Sequence, residues 1–153
     1  RTDELLLDKF CELTDYQKMI FHAVDSNDQD IYHTNVMMAL GETFVIICMD
    51  SIKKETEHKE ILQCFSKTGK EIIEISNEQM LAFAGNMLQV RNDKNETLLV
   101  MSEQAFQSLE SAQIAAIERH TNILYSPINT IETYGGGSTR CMMAEVFLPL
   151  RQN

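Results

Sequence analysis

One succession of patterns occurs about twice along this 153-residue chain: two short apolar runs separated by a turn, a stretch with helical apolar spacing, and a further apolar run. Short apolar and β-branched runs bounded by turn residues favour strands, and apolar residues three and four apart mark one face of a helix, so the succession reads as strand, strand, helix, strand. In the first copy, residues 36–40 and 44–49 flank Gly41 and Glu42 as a hairpin, 54–65 form a helix ending near Gly69, and 72–75 form the closing strand. The run FVIICM at 44–49 is apolar at every position, as suits a strand central in its sheet. In the second copy, strands at 87–90 and 97–101 flank a turn at 92–95. A helix over 103–120 then presents Phe106, Leu109, Ile114 and Ile117 on one face before a strand at 123–127. A short helix at 77–83 joins the copies. Repetition of one such unit implies modules set around an axis, and the fold class is α/β.

Two segments lie outside the repeats. Ahead of them, Thr2 reads as the N-cap of a helix over 3–14, with Asp3 and Glu4 suiting its N-terminus; a strand at 18–24 and a loop at 26–30 then lead to His33. Behind them, Gly135, Gly136 and Gly137 form a loop before Ser138, Thr139, Arg140 and Cys141, and residues 142–148 read as a strand. Both His33 and Cys141 are thus expected where a loop enters a strand.

Composition narrows the classes of function. A formal net charge of −10 speaks against nucleic-acid or anionic-membrane surfaces, which draw on clustered Lys and Arg, and fits a cationic or zwitterionic ligand better. The 44% hydrophobic content is ample for one core, and no apolar run approaches the roughly 20 residues of a membrane helix. The chain is expected to be cytoplasmic. Cys11, Cys48, Cys64 and Cys141 lack the spacing of a zinc knuckle or a disulfide framework, so free thiols are expected. The chain begins at Arg1 and enters a helical pattern at once, which points to a segment removed upstream.

A cysteine nucleophile needs thiolate character and room for a substrate to approach. In GGGSTRC the glycines leave that room, and Arg140 adds positive charge, although neighbours on a strand face opposite ways. The competing reading makes the glycines a turn and Cys141 a small buried hydrophobe. Acid/base work near neutral pH falls first to imidazole. Of the four histidines, His58 lies among charges, His120 near a helix end and His22 in an apolar run; His33, like Cys141, lies where a loop enters a strand, though a histidine so placed is more often structural than catalytic. A papain-like order would put the cysteine early and the histidine downstream; here it is reversed.

The segments IYHTNVMM at 31–38 and GGGSTRCMMAEVF at 135–147 resemble the guanidino-modifying enzymes. These comprise arginine deiminases, dimethylarginine dimethylaminohydrolases, amidinotransferases and the amidinotransferase-like proteins that include citrulline hydrolases. The resemblance extends over essentially the whole chain. It implies a pentein fold, an α/β-propeller of five strand, strand, helix, strand modules, of which residues 1–153 would be the C-terminal portion with about two. By the same resemblance, an N-terminal half that carries acidic substrate-binding residues in this family is expected to lie outside this sequence. The isolated chain is therefore expected to be inactive.

The resemblance further implies a hydrolase acting on the guanidino or ureido carbon of an arginine- or citrulline-like substrate, with Cys141 as nucleophile and His33 as acid/base. Neither metal nor cofactor is required. An amidinotransferase, or an inert binding or regulatory fragment, are the alternatives, and a homo-oligomer is compatible with the exposed edges of a partial propeller. Asn35, Ser138 and Arg140 are the candidate substrate-binding residues. Arginine deiminases often have aspartate two residues after the histidine, where this chain has Asn35. An uncharged amide there favours a neutral ureido group, as in citrulline. Ser138 and Thr139 could instead cap the turn, and Glu145 reads equally as a buried polar partner or an outward strand position.

Overall fold

The computed structural model describes residues 3–146. Helix α1 (Glu4–Thr14) begins at Asp3, whose carboxylate accepts the Leu6 N–H at 3.0 Å, so the cap falls one residue later than Thr2. Its amphipathic pattern is present but unused: no residue of α1 is buried, and Leu5, Leu6, Phe10 and Leu13 are all exposed. Lys18 turns back to pair with Asp8 at 2.5 Å and Glu4 at 3.0 Å.

Residues 18–24 do not form the expected strand. Only Ala23 and Val24 pair, as single bridges to Ile52 and Asp30, because no neighbouring strand offers the rest of the segment a ladder. Polar contacts hold it instead. The His22 N–H donates to Glu57 Oε2 at 2.8 Å, and this N–H, aided by Lys54, holds the Glu57 carboxyl below the usual carboxylate range. The loop at 26–30 is as expected, with the Asp25 carboxylate accepting from the Asn27 and Gln29 N–H groups.

The first module opens with a single turn, α2 (Thr34–Met37), where an extended Val36 was expected; the strand starts only at Met38. Strand β1 (Met38–Leu40) runs antiparallel to β2 (Phe44–Ile47). Helix α3 (Glu55–Lys67) then crosses to β3 (Glu71–Glu74), which pairs parallel with β2. All four residues of β2 are fully buried, which confirms it as the central strand. Each such side chain contributes about 1.5–3 kcal/mol by leaving water.

Helix α4 (Asn77–Leu81), closed by a capping box of Ser76 with Gln79, leads to the second module. There β4 (Leu88–Arg91) is antiparallel to β5 (Thr97–Ser102), which is parallel to β6 (Asn122–Ser126). The order of strand, strand, helix, strand therefore occurs twice. Neither three-stranded sheet closes on itself. The helical part of the second module is split into α5 (Glu103–Ser108) and α6 (Ser111–Glu118), where one helix was expected. The cause is the buried Gln79 amide, which donates to the Ser108 carbonyl at 2.8 Å and to Gln113 Oε1 at 2.7 Å. Leu109 is extended, and the Glu110 N–H donates to Gln113 Oε1 to start the next helix. Leu109 stays buried through the break, so the apolar period survives it.

The chain ends in two short helices, α7 (Asn129–Gly135) and α8 (Thr139–Met142). One apolar core runs through both modules, from Ile61 and Phe65 of α3 to Leu99, Met101 and Ile117. Where the modules meet, Gly85 lies against α2 so closely that a Cβ would stand 2.3 Å from the Val36 carbonyl oxygen and 2.9 Å from the Met37 carbonyl carbon. Backbone cannot give way as a side-chain tip can. Gly85→Ala is expected to push α2 away from the start of β4 and to destabilise the chain by about 1–3 kcal/mol. A urea midpoint equal to that of the unsubstituted chain would show that the contact has slack.

Candidate functional site

The glycine loop is the hinge on which the thiol is set. Helix α7 ends where Gly136 adopts a left-handed φ of 68° and its N–H donates to the Glu132 carbonyl at 3.2 Å. Ser138 is fully buried, and its hydroxyl donates to Glu132 Oε1 at 2.6 Å. Glu132 is itself 5% exposed, and its second oxygen is buried without a hydrogen-bond partner among the described residues. This pair anchors the base of the loop inside the chain. Removing either partner would strand the other, a cost of about 1–3 kcal/mol.

From that anchor the chain turns into α8, with the Cys141 N–H donating to the Ser138 carbonyl at 3.0 Å. Cys141 therefore sits on a helical turn, exposed, where a strand entrance was expected. Residues 142–146 form no strand, and residues 147 and 148 of that expectation lie outside the described residues. Gly137 packs on the thiol, since a Cβ there would stand 3.0 Å from Sγ. A glycine at 137 is thus a requirement of the cysteine's own side chain.

A buried asparagine ties the two halves of the site together. Asn86 Nδ2 donates to the Asn35 carbonyl at 3.0 Å and lies 3.3 Å from Cys141 Sγ; the Asn86 carbonyl accepts the Arg140 N–H at 3.4 Å. The segment containing His33 and Asn35 is thereby joined to the segment containing Arg140 and Cys141. Nothing in the sequence singled out Asn86. The Gly-Asn pair before an apolar run reads as a turn signal, and only the fold reveals that its side chain is enclosed.

His33 caps α2 by accepting the Asn35 N–H on Nδ1 at 3.1 Å. The neutral ring must then carry its proton on Nε2. His33 is exposed and makes no hydrogen bond to Cys141 among the described residues. It lines a hollow with His22, Asp30 and Tyr32, while Asn35 and Arg140 line an adjoining groove; Thr34 borders both. Arg140 is half-buried and 4.0 Å from Glu145. Of the candidate substrate-binding residues, Asn35 and Arg140 share one groove, whereas the Ser138 hydroxyl is committed to Glu132. The Asn35 side-chain amide makes no hydrogen bond among the described residues, so it is free to line that groove.

Among the described residues no cluster of three His, Cys, Asp or Glu could hold a metal ion, and no helix is long and apolar enough to cross a membrane. One ionic cluster lies elsewhere, where His120 bonds Glu71 at 2.8 Å and Arg119 pairs with the same carboxylate. That histidine is the chief reason the Glu71 carboxyl is held below its usual range.

A family model described as N,N dimethylarginine dimethylhydrolase, eukaryotic, matches residues 1–148. Among solved structures, the chain is similar to the apo form of ArgZ, an arginine dihydrolase from the ornithine-ammonia cycle in cyanobacteria. The TM-score is 0.63 at 12% identity, over 87% of this chain and 19% of that one. The chain thus spans about a fifth of the length of that structure, and the likeness is one of fold. No curated protein sequence matches the chain.

Proposed function

The chain belongs to the N,N dimethylarginine dimethylhydrolase family, within the guanidino-modifying pentein superfamily, and from that membership we propose that it carries the nucleophilic part of a guanidino or ureido hydrolase. The observation that carries this reading is the Asn86 bridge, which joins an exposed cysteine on a glycine-loop turn to the segment that starts with His33.

In the reaction, Cys141 Sγ attacks the guanidino or ureido carbon and forms a C–S bond. The C–N bond to the departing amine breaks, and the proton that leaves with it comes from Nε2 of His33 in its imidazolium form, in which Nδ1 is protonated and has released the Asn35 N–H. Water then adds its oxygen to the same carbon and its proton to His33, and cleavage of the C–S bond returns the thiolate. Replacing water by an acceptor amine turns the same steps into an amidinotransferase.

Substrate capture is shared with further chain. The exposed apolar face of α1 supports a propeller of which this is the C-terminal portion, because a helix with Leu5, Leu6, Phe10 and Leu13 uncovered is one whose partner is elsewhere. The acidic groups that orient the substrate carbon would come from that partner. Within this chain, the uncharged Asn35 amide favours a ureido group and puts citrulline first; the family's name puts methylated arginines next.

Ammonia, methylamine and ornithine release would be followed from citrulline, arginine and methylated arginines, with the full-length protein and the 153-residue chain side by side. Turnover of one of these by the full-length protein and none by the isolated chain is expected, since a misplaced substrate loses most of the advantage of proximity. Efficient turnover by the isolated chain would mean that its own groove binds the substrate. No turnover of any of them by the full-length protein would favour the inert, regulatory alternative.

A further inference from the structure

We infer that the Asn86 side-chain amide is a working part of the nucleophilic centre: its N–H donates to the Cys141 sulfur, stabilises negative charge there and fixes the sulfur beside the Asn35 backbone at the start of α2. The inference rests on reading Cys141 as the nucleophile.

The orientation of the amide follows from its surroundings. A backbone carbonyl can only accept, so the atom 3.0 Å from the Asn35 oxygen must be nitrogen, and its second hydrogen is left for the sulfur 3.3 Å away. The Asn86 oxygen stands 3.6 Å from the same sulfur and can accept from it when it is protonated. One amide can therefore serve both forms of the cysteine, and because a thiol sulfur accepts weakly while hydrogen bonds to an ionised partner are the stronger kind, its N–H favours the anion.

Asn86 is well placed to do this because it cannot move. It is 5% exposed; its N–H donates to the Phe83 carbonyl at 2.8 Å, and its carbonyl accepts from Arg140. The residue before it, Gly85, is in direct backbone contact with α2. Among the described residues no histidine, lysine or arginine side chain is bonded to the Cys141 sulfur, so the donor that the structure offers it is this amide. A buried, fixed donor also needs no reorganisation when charge appears on the sulfur.

The four free cysteines make the test internal to the chain. Alkylation by iodoacetamide would be followed site by site by mass spectrometry across pH, with fully buried Cys48 reporting on the fold and half-buried Cys11 and Cys64 on general reactivity. In the unsubstituted chain Cys141 is expected to react first. In Asn86→Asp, which sets a carboxylate against the sulfur, its rate at neutral pH is expected to fall about 10- to 100-fold. The profile should move to higher pH while Cys48 stays protected. A rate and profile unchanged in Asn86→Asp would overturn the inference and leave the nucleophile reading standing.

Where Asn86→Asp exposes Cys48 and so has unfolded, the unsubstituted chain decides. The side-chain amide resonances of Asn86 should shift with pH in step with Cys141 alkylation, and their failure to do so would overturn the inference equally. A Cys141 no faster than Cys11 and Cys64 in the unsubstituted chain would remove the nucleophile reading and this inference with it.

Discussion

Cys141→Ser in the full-length protein is expected to reduce turnover below detection while the fold is retained. A hydroxyl is a far poorer nucleophile than a thiolate unless a strong base removes its proton, and the group beside this position is the Asn86 amide, which is no base. The substitution should be structurally mild, since the side chain is exposed and the smaller oxygen fits easily against Gly137. Cys64→Ser should leave the chemistry intact, and so should Cys48→Ser if it folds. Ornithine or ammonia release at the rate of the unsubstituted enzyme from Cys141→Ser would overturn the mechanism.

Loss of the imidazole is the second large effect. His33→Ala is expected to lower kcat by a factor on the order of 100 to 10,000 if the ring is the acid and base of both half-reactions. That substitution also removes the acceptor of the Asn35 N–H and uncaps α2, at about 0.5–2 kcal/mol. His33→Asn separates the two effects. Asparagine is among the best N-caps and can receive the same N–H, yet it cannot transfer a proton at neutral pH. A loss of kcat as large as that of alanine, with the thermal midpoint kept, is the expected result. Full activity in His33→Asn would assign His33 to capping alone.

Local pattern was enough to read the elements whose surroundings agree with it. The wholly apolar run around Phe44–Ile47 is the buried central strand that its composition demands, and the doubled order of strands and helices is present. Readings failed where a distant partner decides. The break at Leu109 depends on Gln79, 30 residues earlier, and nothing in the periodicity of Phe106, Leu109, Ile114 and Ile117 betrays it. The segment at 18–24 has strand-like residues but no neighbour to ladder with.

The candidate site divides in the same way. Cys141, His33 and Arg140 are candidates because their chemistry is visible in a side-chain name and a flanking loop, and Asn35 because the resemblance points to it. Asn86 and Glu132 could not be picked out. Each is a polar residue whose meaning comes wholly from enclosure, and enclosure is a property of the fold.

The two β-hairpins are rooted beside Asn35 and Asn86. In the first, β1 leaves α2 and reverses at Gly41 and Glu42; in the second, β4 leaves Asn86 and reverses at residues 92–95. Chemistry thus gathers at the roots of the hairpins and turn residues at their tips. Evolution can lengthen, shorten or decorate the tip at 92–95 without moving a reacting atom, while the roots tolerate almost no change of backbone. Divergence among relatives of such a chain would accumulate at one end of each module, and a fused tag or reporter would be carried there at the least cost to activity.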